Sequence, residues 1–167
     1  MRAFPVTFVL VLSSFLAAAS LQAARAGAAG QSAQAAAEQQ LPDAPGRAVV
    51  ARVCTQCHGV EYIVPSERTV PVWRDTIELM RAYGAEASDE DWKTITSYII
   101  AHLAYVNVNT ASAEEVGLVF GVDENVAQGV VAYRDTQGGF KTIEDLKKAP
   151  GLDSEKIEML KPRLMFA

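Results

Sequence analysis

Apolar residues along the chain recur at helical rather than strand spacing, and they divide it into a leader and two helical blocks. Phe4 to Ala19 is an apolar run behind the short basic start Met1-Arg2, and it is shorter than the roughly 20 residues a membrane span needs. Ala24-Arg25-Ala26 follows as an A-x-A cleavage sequence, so residues 1–26 read as a Sec-type signal peptide of an exported, periplasmic protein. Residues 27–40 are rich in Ala, Gln and Gly and read as a flexible linker. Structure is expected to begin near Leu41.

The first block, residues 41–104, predicts three helices. Val49, Val50 and Val53 share one side of the stretch from Gly46 to Val53. Pro71 suits a first helical position, and Trp73, Ile77, Met80 and Tyr83 then recur at helical spacing as far as Gly84. Ser88-Asp89-Glu90-Asp91 is an N-capping sequence for a helix with a Trp92, Ile95, Ile99 and Leu103 stripe. The block shows no strand alternation.

The second block, residues 105–167, predicts two helical hairpins in tandem. Ser112 and Glu115 make a capping box, and Gly121 ends that helix. Asp123 opens a helix bearing Val126, Val130, Val131 and Tyr133. After Gly138-Gly139, Thr142 caps a short helix with Ile143 and Leu146. Pro150-Gly151 turns the chain into a last helix presenting Ile157, Leu160 and Leu164. Two helix–turn–helix units, each turning at a glycine, amount to an internal repeat. The fold class is therefore all-α.

Charge narrows the partners. Net charge is −5, with nine acids against six bases over residues 41–104 and ten against seven over residues 105–167. Neither block has a basic stripe, whereas nucleic-acid affinity rests on clustered Lys and Arg.

Cys54-Thr55-Gln56-Cys57-His58 carries the most specific chemistry, and its cysteines are the only two in the chain. C-x-x-C-H is the attachment signature of c-type haem. Two thiols one helical turn apart can add to the two vinyl groups, and the following imidazole becomes the proximal iron ligand. A thioredoxin-like redox pair, half of a zinc site and a structural disulfide are the alternatives. A redox pair needs no trailing histidine and usually follows a strand. Zinc would need a second Cys/His pair, and the only other histidine is His102. About 60 residues in three helices bury little by themselves, so a haem would supply much of the apolar interior.

The order G-x7-C-x-x-C-H, W-x6-M-x3-G and a capped helix ending Tyr98-Ile99-Ile100-Ala101 resembles small class I bacterial cytochromes c, above all the monohaem partners or subunits of periplasmic dehydrogenases. The resemblance spans residues 41–104. It implies one covalent haem c on Cys54 and Cys57, with iron held by His58 and, on the distal side, by Met80. His102 is the rival distal ligand, and a buried core methionine is the bland reading of Met80. The proximal imidazole is expected to donate its second nitrogen to a backbone carbonyl near Val64-Pro65. Tyr62, Trp73, Arg74 and Arg81 are the groups placed to meet haem carboxylates.

Residues 105–167 resemble the tandem helix-hairpin-helix domain of ComEA-type competence DNA receptors, through V-N-V-N-T-A-S-A-E-E, V-V-A-Y-R-D-T-Q-G-G-F-K-T-I-E-D-L and P-G-L. DNA-binding members read G-h-G at each hairpin. Here the second glycine is replaced by Asp123 in one hairpin and Asp153 in the other, and a carboxylate there repels phosphate and caps the helix instead. Lys147, Lys148, Lys156 and Lys161 could still form a modest basic face.

The expectation is a periplasmic one-electron carrier, not an enzyme, whose helix-hairpin-helix module docks a redox protein partner. A haem subunit of a dehydrogenase complex is the alternative, and an exported DNA-binding haem protein a further one.

Overall fold

The computed structural model describes residues 34–64 and 66–167. The stretch expected to be a signal peptide, residues 1–26, and half of the expected linker lie outside the described residues. Helix α1, whose described residues are 34–40, occupies the end of the stretch read as a flexible linker. Ala and Gln are strong helix formers. Ala37 is buried in the core, and Glu38 pairs with Arg47 at 3.5 Å, so this part of the linker is a packed element rather than a tether.

Three helices follow: α2 (Arg47–Cys54), α3 (Val70–Ala82) and α4 (Asp89–His102), with a 3-10 turn at Val60–Tyr62. Gly46, at φ +97°, starts α2 where a side chain would press on Thr94 and Tyr98 of α4. The two helices thus cross at near-backbone contact, which glycine alone permits without strain. Arg52 of α2 also pairs at 2.9 Å with Asp91 of α4. The Arg52 hydrogen bond, followed by that from Ser88, holds the Asp91 carboxyl below its usual range. Ser88 caps α4 by accepting from the Asp91 amide at 3.1 Å.

The second unit is a pair of helical hairpins: α5 (Ala113–Phe120) with α6 (Glu124–Gln137), then α7 (Ile143–Leu146) with α8 (Ser154–Leu160). Ser112 and Glu115 make the reciprocal capping-box bonds at 3.2 and 3.0 Å. Gly121 and Gly151 take left-handed conformations at the two turns. At Gly151 an added Cβ would lie 2.7 Å from Val126, so this glycine also lets the second hairpin rest on the first.

The last helix ends at Leu160, short of Leu164. Pro162, which lacks an N–H, sits in a 3-10 turn at Lys161–Arg163, and the chain then becomes a strand. That strand, β2 (Leu164–Met165), pairs in parallel with β1 (Val106–Asn107), Val106 opposite Leu164. The V-N-V-N sequence now has a physical reading. Val106 and Val108 are buried, while Asn107 and Asn109 fasten neighbouring chain. Asn109 donates to the Phe140 carbonyl at 2.8 Å and accepts from the Phe140 amide at 2.7 Å, tying the start of the unit to its middle.

One continuous apolar core runs through both units, from Ala37 to Leu160. Arg163 seals the junction. Its guanidinium donates to the carbonyls of Ile100, Ala101 and Ala104, each at 3.0 Å. These are carbonyls of the C-terminal turn of α4, two of which a helix end leaves unpaired. Among the described residues no helix is long and apolar enough to cross a membrane.

Replacing Arg163 by Met is expected to destabilise the whole chain by about 2–3 kcal/mol, because charged hydrogen bonds to part-buried carbonyls are lost. Urea unfolding followed by circular dichroism reads this, and a loss below about 0.5 kcal/mol would contradict the junction described.

Candidate functional site

Cys54 ends α2, and the chain turns through Cys57 and His58 into the 3-10 turn. Trp73, Ile77 and Met80 come from one face of α3, and Trp92, Ile95 and Ile99 from α4. These side chains enclose a mostly apolar cavity of about 440 Å³, open on one side, whose rim includes Tyr62 and Tyr83. Both tyrosines are strongly exposed, at 64% and 77%.

Cys54, Cys57, His58 and Met80 therefore line a single cavity. Both thiols are free, so the pair forms no disulfide. Among the described residues no group of three or more His, Cys, Asp or Glu side chains is arranged to hold a metal ion. His58 Nδ1 lies 3.1 Å from the Gly59 carbonyl. A carbonyl can only accept, so Nδ1 carries the proton and Nε2 keeps its lone pair for a metal. The acceptor is thus Gly59 rather than the expected region of Val64-Pro65, of which Pro65 lies outside the described residues. The Tyr62 ring meets the His58 ring edge-on at 5.4 Å between centroids.

Met80 is fixed by the way α3 ends. Gly84, at φ +96°, lets the Ala85 amide donate back to the Met80 carbonyl and the Gly84 amide to that of Arg81, both at 3.0 Å. This is a Schellman termination, and it sets the last-turn register that turns Met80 to the cavity.

Three expected or rival residues lie elsewhere. Arg74 pairs across the junction with Glu115 at 3.5 Å. Arg81 pairs with Glu78 at 3.2 Å and lies 5.3 Å from the Trp92 ring centroid. Both arginines line a separate polar recess with Lys93 and Glu114, on the other side of Trp92, so neither is placed at the cavity. Adjacent helix residues are about 100° apart around the axis, so Arg74 and Arg81 fall on the face of α3 next to the one bearing Trp73 and Ile77. His102 is also absent from the cavity wall and rests on Tyr98, 4.9 Å between centroids. Desolvation first, then Arg163 and Lys156, lower its pKa.

The cation at the cavity is Arg68, which the residue pattern did not single out. Its guanidinium sits 5.0 Å from the Trp73 ring centroid and donates to the Tyr62 carbonyl at 3.1 Å and to Ser66 Oγ at 2.9 Å. Trp73 Nε1 is buried with no hydrogen-bond partner among the described residues. A buried N–H left unpaired is costly. The residues fit a porphyrin on these grounds: two thiols, an imidazole, a thioether, mostly apolar walls and the Arg68 cation, all at one cavity.

At the hairpins of the second unit, Asp123 accepts from the Val126 amide at 2.9 Å and Asp153 from the Lys156 amide at 2.7 Å. One amide at the start of the helix after each hairpin is thus taken by a carboxylate. The lysines are largely paired too. Lys147 contacts Glu144 at 2.9 Å and Glu158 at 2.6 Å, and Lys148 contacts Asp145 at 3.0 Å. Only weak pairing, 3.9 Å to Glu158, engages Lys161.

Residues 103–165 match the helix-hairpin-helix motif family and form a ComEA-like helix-hairpin-helix domain. Over 65 residues the chain is 43% identical to Endonuclease/exonuclease/phosphatase family domain-containing protein 1 of Danio rerio, covering 39% of this chain and 12% of that protein. Over 58 residues it is 41% identical to ComE operon protein 1 of Bacillus subtilis, covering 35% of this chain and 28% of that protein. The chain thus spans less than a third of the length of either relative. No solved structure matches it.

Burial pushes the Cys54 thiol up to about 11, while Cys57 is exposed. In the haem-free chain at pH 8, iodoacetamide is expected to modify Cys57 at least tenfold faster than Cys54, since the thiolate is the nucleophile. Peptide mass mapping checks this, and equal rates would contradict the placement of Cys54 against the core.

Proposed function

We propose that the chain is an exported one-electron carrier. Its N-terminal unit holds one haem c through Cys54 and Cys57, with His58 and Met80 as axial ligands, and its helix-hairpin-helix unit docks a redox protein partner in the periplasm. The observation that carries this reading is the convergence of those four side chains on one mostly apolar cavity.

When bound, the group would supply a metal centre that alternates between two oxidation states. The protein's part is to hold and tune it. His58 would present Nε2, oriented by the Gly59 carbonyl. Met80 would offer a soft neutral sulfur, a ligation that raises the potential. With His58 and Met80 both holding the metal, no position on it would be left for a substrate, which suits electron transfer rather than chemistry on a bound molecule. Trp73, Trp92, Ile77, Ile95 and Ile99 would keep water from the faces of the ring.

Docking is favoured for the second unit because both of its hairpins carry helix-capping aspartates and its Lys147 and Lys148 are ion-paired. Like charge at the hairpins opposes the phosphate contacts on which DNA affinity depends.

Two measurements test this reading. The oxidised, loaded protein is expected to show the far-red methionine-to-iron charge-transfer band, and Met80→Ala to lose it. A wild type without the band would exclude Met80 as ligand. Titration with duplex DNA at low salt is expected to show no binding tighter than micromolar, and salt-sensitive binding below that would overturn the docking role.

A further inference from the structure

The polar recess between the two units, of about 410 Å³, lies where α3, α4 and α5 meet, on the far side of Trp92 from the cavity. Its volume falls within the range of small-molecule sites. Apart from Trp92 its lining is charged or polar, with Arg74, Arg81 and Lys93 set against Asp89 and Glu114. Residues 41–104 hold six bases, so half of them converge on one recess of a chain whose net charge is −5.

These three cations are poorly neutralised. Lys93 is exposed, and no carboxylate of the described residues lies within ion-pair distance of it. Arg74 reaches Glu114 only at 3.9 Å. It shares Glu115, at 3.5 Å, with the Ser112 amide, which donates to the same carboxylate at 3.0 Å. Arg81 pairs at 3.2 Å with Glu78, which is not part of the recess wall. Exposed pairs of this kind contribute little and yield to a better-placed anion. Spacing then narrows the anion. Arg74 and Arg81 are seven residues apart on α3, two helical turns or roughly 10 Å along its axis. A single carboxylate cannot span that interval, whereas two linked anionic groups can.

We propose that this recess binds a small polyanion, a molecule bearing at least two carboxylate or phosphate groups. Arg74 and Arg81 hold separate groups through their forked donors, and Lys93 supplies the third positive charge. Glu114 opposes the ligand, because it competes for Arg74. Arg74 belongs to α3, and Glu114 and Glu115 to α5, so the ligand exchanges a contact between the two units for contacts of its own. The recess is separate from the haem cavity, and the inference stands independently of what fills that cavity.

The experiment is isothermal titration of the full-length protein at low salt with citrate and with pyrophosphate. Either is expected to bind at one site with a dissociation constant below about 1 mM, and the tighter of the two tells carboxylate from phosphate. Acetate engages a single cation and should bind at least about tenfold more weakly. Arg74→Gln and Lys93→Gln should each weaken polyanion binding about fivefold. Glu114→Gln should tighten it about threefold by freeing Arg74. Lys161→Gln removes a positive charge elsewhere and should leave it unchanged. Lys93 takes part in no ion pair among the described residues, so its variant is expected to keep the wild-type melting temperature and the test stays decisive. No binding of either polyanion, an equal loss in Lys161→Gln, or unchanged or weaker binding in Glu114→Gln would overturn the inference.

Discussion

An apolar interior has to be filled, and the three helices of the N-terminal unit do not fill theirs. The void walled by Trp73, Trp92, Ile77, Ile95, Ile99 and Met80 measures about 440 Å³. Open on one side, it leaves mostly apolar walls facing water, at a cost that grows with the apolar area exposed. A unit of about sixty residues has little spare burial to offset such a cost. The cavity is therefore best understood as a seat for a large apolar guest. Its chemistry narrows that guest: two thiols, an imidazole and a thioether line the same space, with Arg68 the cation among the described lining residues.

The second unit bears on this constraint by lending its core. Helix α4 walls the cavity with one face, while its C-terminal carbonyls are capped by Arg163 from the far end of the chain. Helix α3 walls it with Trp73, Ile77 and Met80, while its Arg74 reaches Glu115 of the capping box. Both walls are thus braced by the helix-hairpin-helix domain. The repeat itself is stiffened by Asn109 and by the close approach at Gly151. Fusion of the two units thus serves a mechanical end.

Much of the architecture was legible because its signals are local. Ser88, Ser112, Asp123, Thr142 and Asp153 each cap the helix that the residue pattern assigned to them. The breaks at Gly121, Gly138 and Gly151 fall at positive φ. Other features were hidden for physical reasons. Two-residue strands such as β1 and β2 are too short to show alternation, and β2 was read as helix because Leu164 continues the spacing of Ile157 and Leu160. Residues 34–40 were read as a tether because low complexity suggests flexibility, although alanine and glutamine favour helix. At the cavity, Arg74 and Arg81 attracted attention by lying on the helix that carries Met80. Arg68 precedes that helix in an irregular segment without periodicity, and only tertiary contact brings it to Trp73.

The central claim is covalent attachment of a porphyrin at Cys54 and Cys57, and intact mass tests it most directly. The chain should be produced in a bacterial host with an active haem-attachment system, exported, purified under denaturing conditions and weighed. The account predicts a red product whose mass exceeds that of the processed polypeptide by one haem and whose added mass maps to the peptide containing both cysteines. A colourless product at the mass of the bare polypeptide would contradict it.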